Sequence, residues 1–293
     1  MARTPHTFSR IQSLRERYHR ALSGKESLIN IINEAEIPEH VYNSNAIENS
    51  TLSLEETEKI LLQIDLDRFV SEREIHEAKN LARVMEYVET KAKEAEISAP
   101  ILLFLHKMLI ANIRNEIAGR FRTGNEWVRV GSHIGADPKD VERLVTDALS
   151  AYHADRESNV VARIARLHLA FESVHPFCDG NGRIGRVLNN YALIREGYVP
   201  INIAFTNRAR YYEAFREYDA KGSIKTMEEI VGRALTNSYH KRLAYLEGKQ
   251  IITLNEYAKK RKLSHSSLIN KANRQTIEAF IEQGTWKIAA DAA

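Results

Sequence analysis

His175-Pro176-Phe177-Cys178-Asp179-Gly180-Asn181-Gly182-Arg183-Ile184-Gly185-Arg186 reads as a loop that runs straight into a helix. Two glycines one residue apart let a backbone turn tightly and bring its N–H groups up to a ligand. A helix that starts near Asn181 leaves its first N–H groups unpaired, and these favour a phosphate. Arg183 and Arg186 stand three apart and share a helix face. Two guanidinium groups beside an amide-lined loop suit a di- or triphosphate. Asp179 does not belong against a phosphate unless a cation lies between them, and Mg²⁺ meets that need. His175 is the candidate catalytic group, because a neutral imidazole can take the proton of a hydroxyl as its oxygen attacks phosphorus. Pro176 restricts the loop and Phe177 anchors it. Cys178 reads as a small filler between functional neighbours, and His168, in an apolar helix, as a packing residue.

Helical signals surround this stretch. Residues 9–35 read as one or two short helices, with a turn around Pro38 and Ser44 placed to cap a short helix carrying Glu48. Ser53-x-x-Glu56 is a capping box ahead of Ile60, Leu61 and Ile64. Residues 72–96 form a long amphipathic pattern, and Pro100 opens the next helix. Further helices are expected from near Asp140, over 159–173, from Asn181 to Glu196 with a stop at Gly197, and over 207–220 and 225–246. Arg120–Val130 breaks the series. It is short, roughly alternating and centred on Thr123-Gly124-Asn125, which predicts a hairpin or an extended flap.

The remaining composition excludes several classes. The chain has 293 residues, 28% charged, and a single cysteine. A disulfide framework within the chain is impossible, which fits a reducing cytoplasm. No apolar run is long enough for a membrane span, and the basic N-terminus lacks the apolar segment of a signal peptide. Gly-x-x-x-x-Gly-Lys-Ser/Thr is absent, and no zinc-ligand spacing occurs. The formal charge of +3 conceals an asymmetry: residues 241–293 hold 10 Lys/Arg against 5 Asp/Glu. Gly248 marks a boundary, which divides the chain into an N-terminal helical region (1–95), a catalytic core (96–247) and a small C-terminal domain (248–293).

The run from His175 to Arg186 resembles the signature of the Fic family, His-x-Phe-x-Asp/Glu-Gly-Asn-Gly-Arg-x-x-Arg, with every fixed position filled. The resemblance extends over residues 30–240. It implies an all-α fold with a β-hairpin flap, and transfer of AMP from ATP to a Ser, Thr or Tyr hydroxyl of a protein, the chain itself included. On that resemblance His175 is the general base. Asp179 binds the Mg²⁺ that bridges the α- and β-phosphates. Gly180, Asn181 and Gly182 form the anion hole, Arg183 contacts the phosphates and Arg186 holds the γ-phosphate end. Related kinases of the family carry Lys at the Gly182 position, which argues against transfer of phosphate. The segment around 120–131, with Arg122, Thr123, Gly124, Asn125 and Val128, resembles the flap that registers the target chain. Homodimers are common in the family.

Ser44-Asn45-Ala46-Ile47-Glu48-Asn49 resembles the family's inhibitory motif, in which Glu48 pairs with Arg186 and repels the γ-phosphate. Some relatives use this glutamate to remove AMP, so hydrolytic de-AMPylation, or transfer of another nucleotide, is the alternative within enzymes. In the C-terminal domain, Thr253-x-x-Glu256 is a second capping box, Ser264 caps a helix over 265–274, and Ile277 to Ile288 suggests a β wing. Two short helices and a wing with a basic surplus resemble a winged helix-turn-helix of the excisionase type, which implies DNA as a partner. A DNA-binding regulator with a nucleotide-sensing core is the alternative from another class.

Overall fold

The computed structural model describes residues 4–130 and 133–292, so Gly131, at the end of the expected flap, lies outside the described residues. The chain divides into two compact units: Met1–Glu36 with Gly232–Ala293, and Ile37–Val231.

The larger unit is built on α3 (Leu54–Leu61), α4 (Glu72–Lys91), α5 (Ala99–Ile110), α6 (Val141–Ala154), α7 (Val160–Val174), α8 (Asn181–Arg195) and α9 (Arg208–Lys221). Side-chain caps set several starts. Ser53 and Glu56 close a reciprocal capping box, Ser71 Oγ accepts from Glu74 N–H, and Asn159 Oδ1 accepts from Ala162 N–H. α8 is the central element: Ile184, Val187, Leu188, Tyr191 and Leu193 are all buried, and the helix packs against α4, α5 and α7. The loop between α7 and α8 therefore joins two helices that are anchored on most sides. Their long-range packing fixes the two ends of the loop.

Two local expectations change. The turn expected around Pro38 is absent, because α2 runs unbroken from Glu26 to Ile47 through that proline. Proline removes one helical hydrogen bond and crowds the preceding turn. Here Ile37 and Val41, both buried, hold that turn in the core and offset the loss. Ser44 is consequently inside the last turns of α2 instead of capping a new helix, and Glu48 lies in the turn that ends it, where its N–H donates to Asn45 O.

The strand pairing expected around Thr123-Gly124-Asn125 occurs further along. β1 (Arg129–Val130) pairs antiparallel with β2 (His133–Ile134), Arg129 opposite Ile134 and Val130 opposite His133. Thr123–Glu126 is a tight turn closed twice, by Glu126 N–H to Thr123 O and by Thr123 N–H to Glu126 Oε2. The alternation placed the hairpin too early, and Arg122, expected as a flap residue, is fully buried instead.

The smaller unit contains α1 (Thr4–Leu22), the first turns of α2, and the C-terminal part of α10 (Lys225–Leu246). It also holds β3 (Ile251–Thr253), α11 (Leu254–Arg261), α12 (His265–Asn273), β4 (Phe280–Glu282) and β5 (Thr285–Ala289). The strands form one antiparallel sheet in the order β3-β5-β4. Thr253 and Glu256 make the second capping box, and Ser264 caps α12. Leu254, Tyr257, Leu268, Ala272 and Ile288 form a core beneath the two helices. The order within this unit is a strand, two helices and a terminal hairpin. Buried charges inside this unit are paired: Glu36 with Arg242 at 2.5 Å and Lys241 with Glu282 at 2.8 Å. Among the described residues, no helix is long and apolar enough to cross a membrane.

Candidate functional site

A cleft of about 1200 Å³ in the larger unit is lined by His175, Asp179, Gly182 and Arg183 from the motif, by Glu48 from the end of α2, and by Tyr211 from α9. Within it the loop between α7 and α8 is held from three directions. Asn181 spends its side-chain amide on Phe177, accepting from its N–H at 2.8 Å and donating to its O at 2.7 Å. His106, on α5, accepts from Gly119 N–H at Nδ1 and reaches Asp179 O from Nε2 at 3.1 Å. Its ring stacks on Phe177 at 3.8 Å. Arg122 completes the brace by donating to His175 O at 2.7 Å, to Val174 O at 3.0 Å and to Ala136 O.

His175 ends α7 in the left-handed region, with φ 52° and ψ 63°. Its Nδ1 lies 3.2 Å from the carbonyl oxygen of Glu172. That oxygen can only accept, so the ring proton sits on Nδ1 and the Nε2 lone pair remains for an incoming proton. Burial, against the pull of that carbonyl and of Glu48, lowers the imidazole to about 4. The ring is therefore neutral at pH 7 and able to act as a base. Behind it, burial raises the Glu172 carboxyl to about 8, and the negative charge of Glu48 adds to the rise. Glu172 Oε2 is 3.7 Å from His175 Nδ1, and Oε1 is buried with no hydrogen-bond partner among the described residues.

The residues expected at a phosphate meet at the start of α8. Gly180 precedes the helix at φ 79°, where any Cβ would press on Leu109 and Ile110. Having no side chain, it cannot cap the helix, and the first N–H in the helical ladder is that of Ile184, to Gly180 O. Among the described residues the N–H groups of Asn181, Gly182 and Arg183 have no partner, and they stand at a positive helix end, where an anion is favoured. Asn181 thus offers its backbone here and not its amide. Arg183 is buried and fixed by Asp179 and Glu77, each at 3.1 Å. Burial opposes ionisation of Asp179, yet Arg183 and Arg73 hold its carboxyl below the usual range.

Arg186 is buried and makes four hydrogen bonds to three residues. Nε donates to Ser44 Oγ at 2.9 Å, Nη2 to Ser44 O at 2.8 Å and to Glu48 Oε1 at 2.9 Å, and Nη1 to Tyr211 OH at 3.3 Å. Ser44 O is available because Glu48 N–H turns to Asn45 O as α2 ends. A methyl group at Gly182 would overlap Glu48 Oε1 and lie 3.1 Å from Arg186 Nη1, so the glutamate occupies the space a glycine leaves.

Of the expected flap residues, Val128 lines the cleft, whereas Thr123, Gly124 and Asn125 lie exposed in the tight turn away from it and Arg122 is a core brace. His168, read as a packing residue, is fully buried and touches Tyr211 OH at 2.8 Å, one layer behind Arg186. Sequence reasoning missed Arg73, Glu77, His106, Glu172 and Tyr211. Only Glu172, three residues before His175 on the same helix, carried a local signal.

Residues 96–193 match the Fic/DOC family. Curated relatives named protein adenylyltransferase Fic include one from Nematostella vectensis, 29% identical over 74% of this chain and 50% of its own length. Another, from Drosophila willistoni, is 29% identical over 79% of this chain and 48% of its own length. The chain thus spans about half the length of the curated relatives it matches. Among solved structures, Caenorhabditis elegans Fic-1 (residues 134–508) is similar with a TM-score of 0.70 and 25% identity, covering 83% of this chain and 71% of that one. A Fic domain-containing signaling protein from Bacteroides thetaiotaomicron shares the fold at a TM-score of 0.72 and 23% identity, covering 82% and 97%.

Proposed function

We propose that this chain, which carries a domain of the Fic/DOC family, transfers AMP from Mg·ATP to a hydroxyl of a protein, itself included, and is held in check by Glu48. The observation that carries the reading is the Nε2 lone pair of a neutral His175 beside the free N–H groups that open α8. A target hydroxyl gives its proton to Nε2 as its oxygen bonds to the α-phosphorus, and the bond to the leaving pyrophosphate breaks. The N–H groups of Asn181, Gly182 and Arg183 meet the charge on the phosphate oxygens. Gly180 shapes their approach, and Arg183 and Arg186 take the outer phosphates.

The donor set suits a metal that arrives with the nucleotide. Among the described residues no group of three or more His, Cys, Asp or Glu could hold an ion. Mg²⁺ needs only one or two carboxylates when phosphates and water complete its shell, and Asp179 supplies one at the cleft. The ion supplies charge neutralisation between phosphates. Glu48 on Arg186 fills the place assigned to the γ-phosphate, and Ser44 holds the arginine to α2. Val128 and the β1–β2 edge beside the cleft suit an extended target segment.

An assay with labelled ATP and Mg²⁺ tests this on wild type, E48G and E48G/H175N, with intact-mass readout. The expected result is self-modification by one AMP that rises in E48G and vanishes in E48G/H175N. Equal low rates in wild type and E48G refute the switch. Loss of label from a modified target in wild type, but not in E48G, assigns Glu48 to hydrolysis instead, and competition by UTP or GTP tests the base.

A separate observation favours DNA as a partner of the smaller unit. Lys259, Lys260, Arg261, Lys262, Lys271 and Arg274 are exposed, and none forms an ion pair among the described residues. By contrast Lys249 and Lys287 pair with Asp291 and Glu282. Serines, His265 and Asn270 line the exposed start of α12. Binding of the full chain to duplex DNA should weaken as salt rises. The log–log slope should fall by about 2 in K259A/K260A, one counterion for each lost contact. No binding at low salt refutes it.

A further inference from the structure

Asp179 has an arginine on each oxygen, and only one of them belongs to the motif. Arg183 Nη2 lies 3.1 Å from Oδ1, and Arg73 Nη2 donates to Oδ2 at 2.7 Å. The same arginines meet again on Glu77, Arg73 through Nε and Arg183 through Nη1, each at 3.1 Å. The four side chains form a closed ring of alternating charge whose sum is zero. Its two arginines differ in freedom. The Arg183 side chain is 4% exposed, whereas that of Arg73, in the first turn of α4 on the cleft wall, is 52% exposed.

On the Mg·ATP reading above, on which this inference rests, Asp179 is also the carboxylate that meets the metal. A cation arriving there finds the guanidinium of Arg73 already on Oδ2. We propose that Arg73 is a displaceable placeholder at Asp179. It neutralises the carboxylate while the cleft is empty, and it gives up Oδ2 when a divalent cation comes in with the nucleotide. Without Arg73, Arg183 alone would face both Asp179 and Glu77, and the net negative charge beside the phosphate loop would repel the ligand the loop is built to hold. Arg183 cannot leave, because it is buried. Arg73 can leave without being stranded, since its Nε stays on Glu77 and half of its surface is in water. Guanidinium and metal therefore compete for one oxygen, and Arg73 sets the metal concentration at which the cleft loads.

The test reads metal directly. Free Mn²⁺ is followed by electron paramagnetic resonance as it is titrated into the full chain with saturating non-hydrolysable ATP analogue, for wild type, R73K and R73Q. Removing an ion pair of this exposure should lower the Mn²⁺ half-saturation about fivefold in R73Q. R73K, which keeps a point charge, should fall between. Melting temperatures should stay together, because Arg73 is half in solvent. An unchanged half-saturation in R73Q overturns the placeholder role alone, and a raised one makes Arg73 a nucleotide ligand and overturns it too. If no variant takes up Mn²⁺ with the analogue, the Mg·ATP reading itself falls, and the inference with it.

Discussion

Replacing Glu172 by glutamine should change how stability depends on pH more than it changes stability at any one pH. The carboxyl is raised to about 8 by burial, with Glu48 adding to the rise and Arg186 opposing it. His175 and His168 face it from its own helix, Arg186 from α8, Glu48 from the end of α2 and Tyr211 from α9. An unfolded glutamate titrates near 4.3. Between those values the folded chain binds a proton that the unfolded chain has released, so stability falls as pH rises, by about 1.4 kcal/mol per unit. From pH 5.5 to 7.5 the wild type should lose about 3 kcal/mol relative to E172Q, whose amide stays neutral. His175 works in the other sense. Its folded value of about 4 lies below the unfolded one, so its contribution grows with pH up to about 6.5 and then stops. It does so in both proteins and cancels in the comparison. Urea denaturation of both chains at pH 5.5 and 7.5 measures the gap, and any packing cost of glutamine appears equally at both. A gap that is the same at the two values would show that Glu172 is ionised throughout.

Two more perturbations test other contacts. G182A should destabilise the wild type by about 1 kcal/mol or more, because its methyl overlaps Glu48, and should be neutral or stabilising in E48G, where the overlap is gone and helix propensity favours alanine; equal effects in both backgrounds would mean that Glu48 does not fill that space. R122A strands the carbonyls of His175, Val174 and Ala136 and leaves a cavity, so it should cost roughly 4 kcal/mol and lower the melting temperature by about 10 °C; an unchanged melting curve would make Arg122 a surface contact after all.

Much of this site was legible because it is local in sequence. The loop, the helix start and the candidate base lie within twelve residues, His175 to Arg186. Ser53, Asn159 and Thr253 each cap a helix through a residue three positions on, so the same rule finds them. What escaped is held by tertiary packing. Arg73 reaches Asp179 across 106 positions and His106 reaches it across 73. No spacing rule joins such residues. Pro38 reads as a breaker because its penalty is local, while the burial of Ile37 and Val41 that offsets it is not. Arg122 reads as a flap residue because its neighbours in sequence give no sign of the carbonyls of His175, Val174 and Ala136 that it meets inside. Glu48 was found by resemblance to a motif, and its partnership with Arg186 depends on where α2 happens to end.

The left-handed backbone at His175 also limits what may stand in its place. Asparagine and glycine hold that conformation at little cost, alanine pays roughly 1 kcal/mol, and a β-branched residue pays more. Loss of the imidazole is thus cleanest through asparagine, which leaves the loop where it was, and an alanine variant would mix absent chemistry with a shifted backbone. The same constraint acts on lineages: a copy of this domain that has given up this imidazole should drift toward asparagine or glycine at this position, and a valine or isoleucine there would signal that the loop itself has been rebuilt.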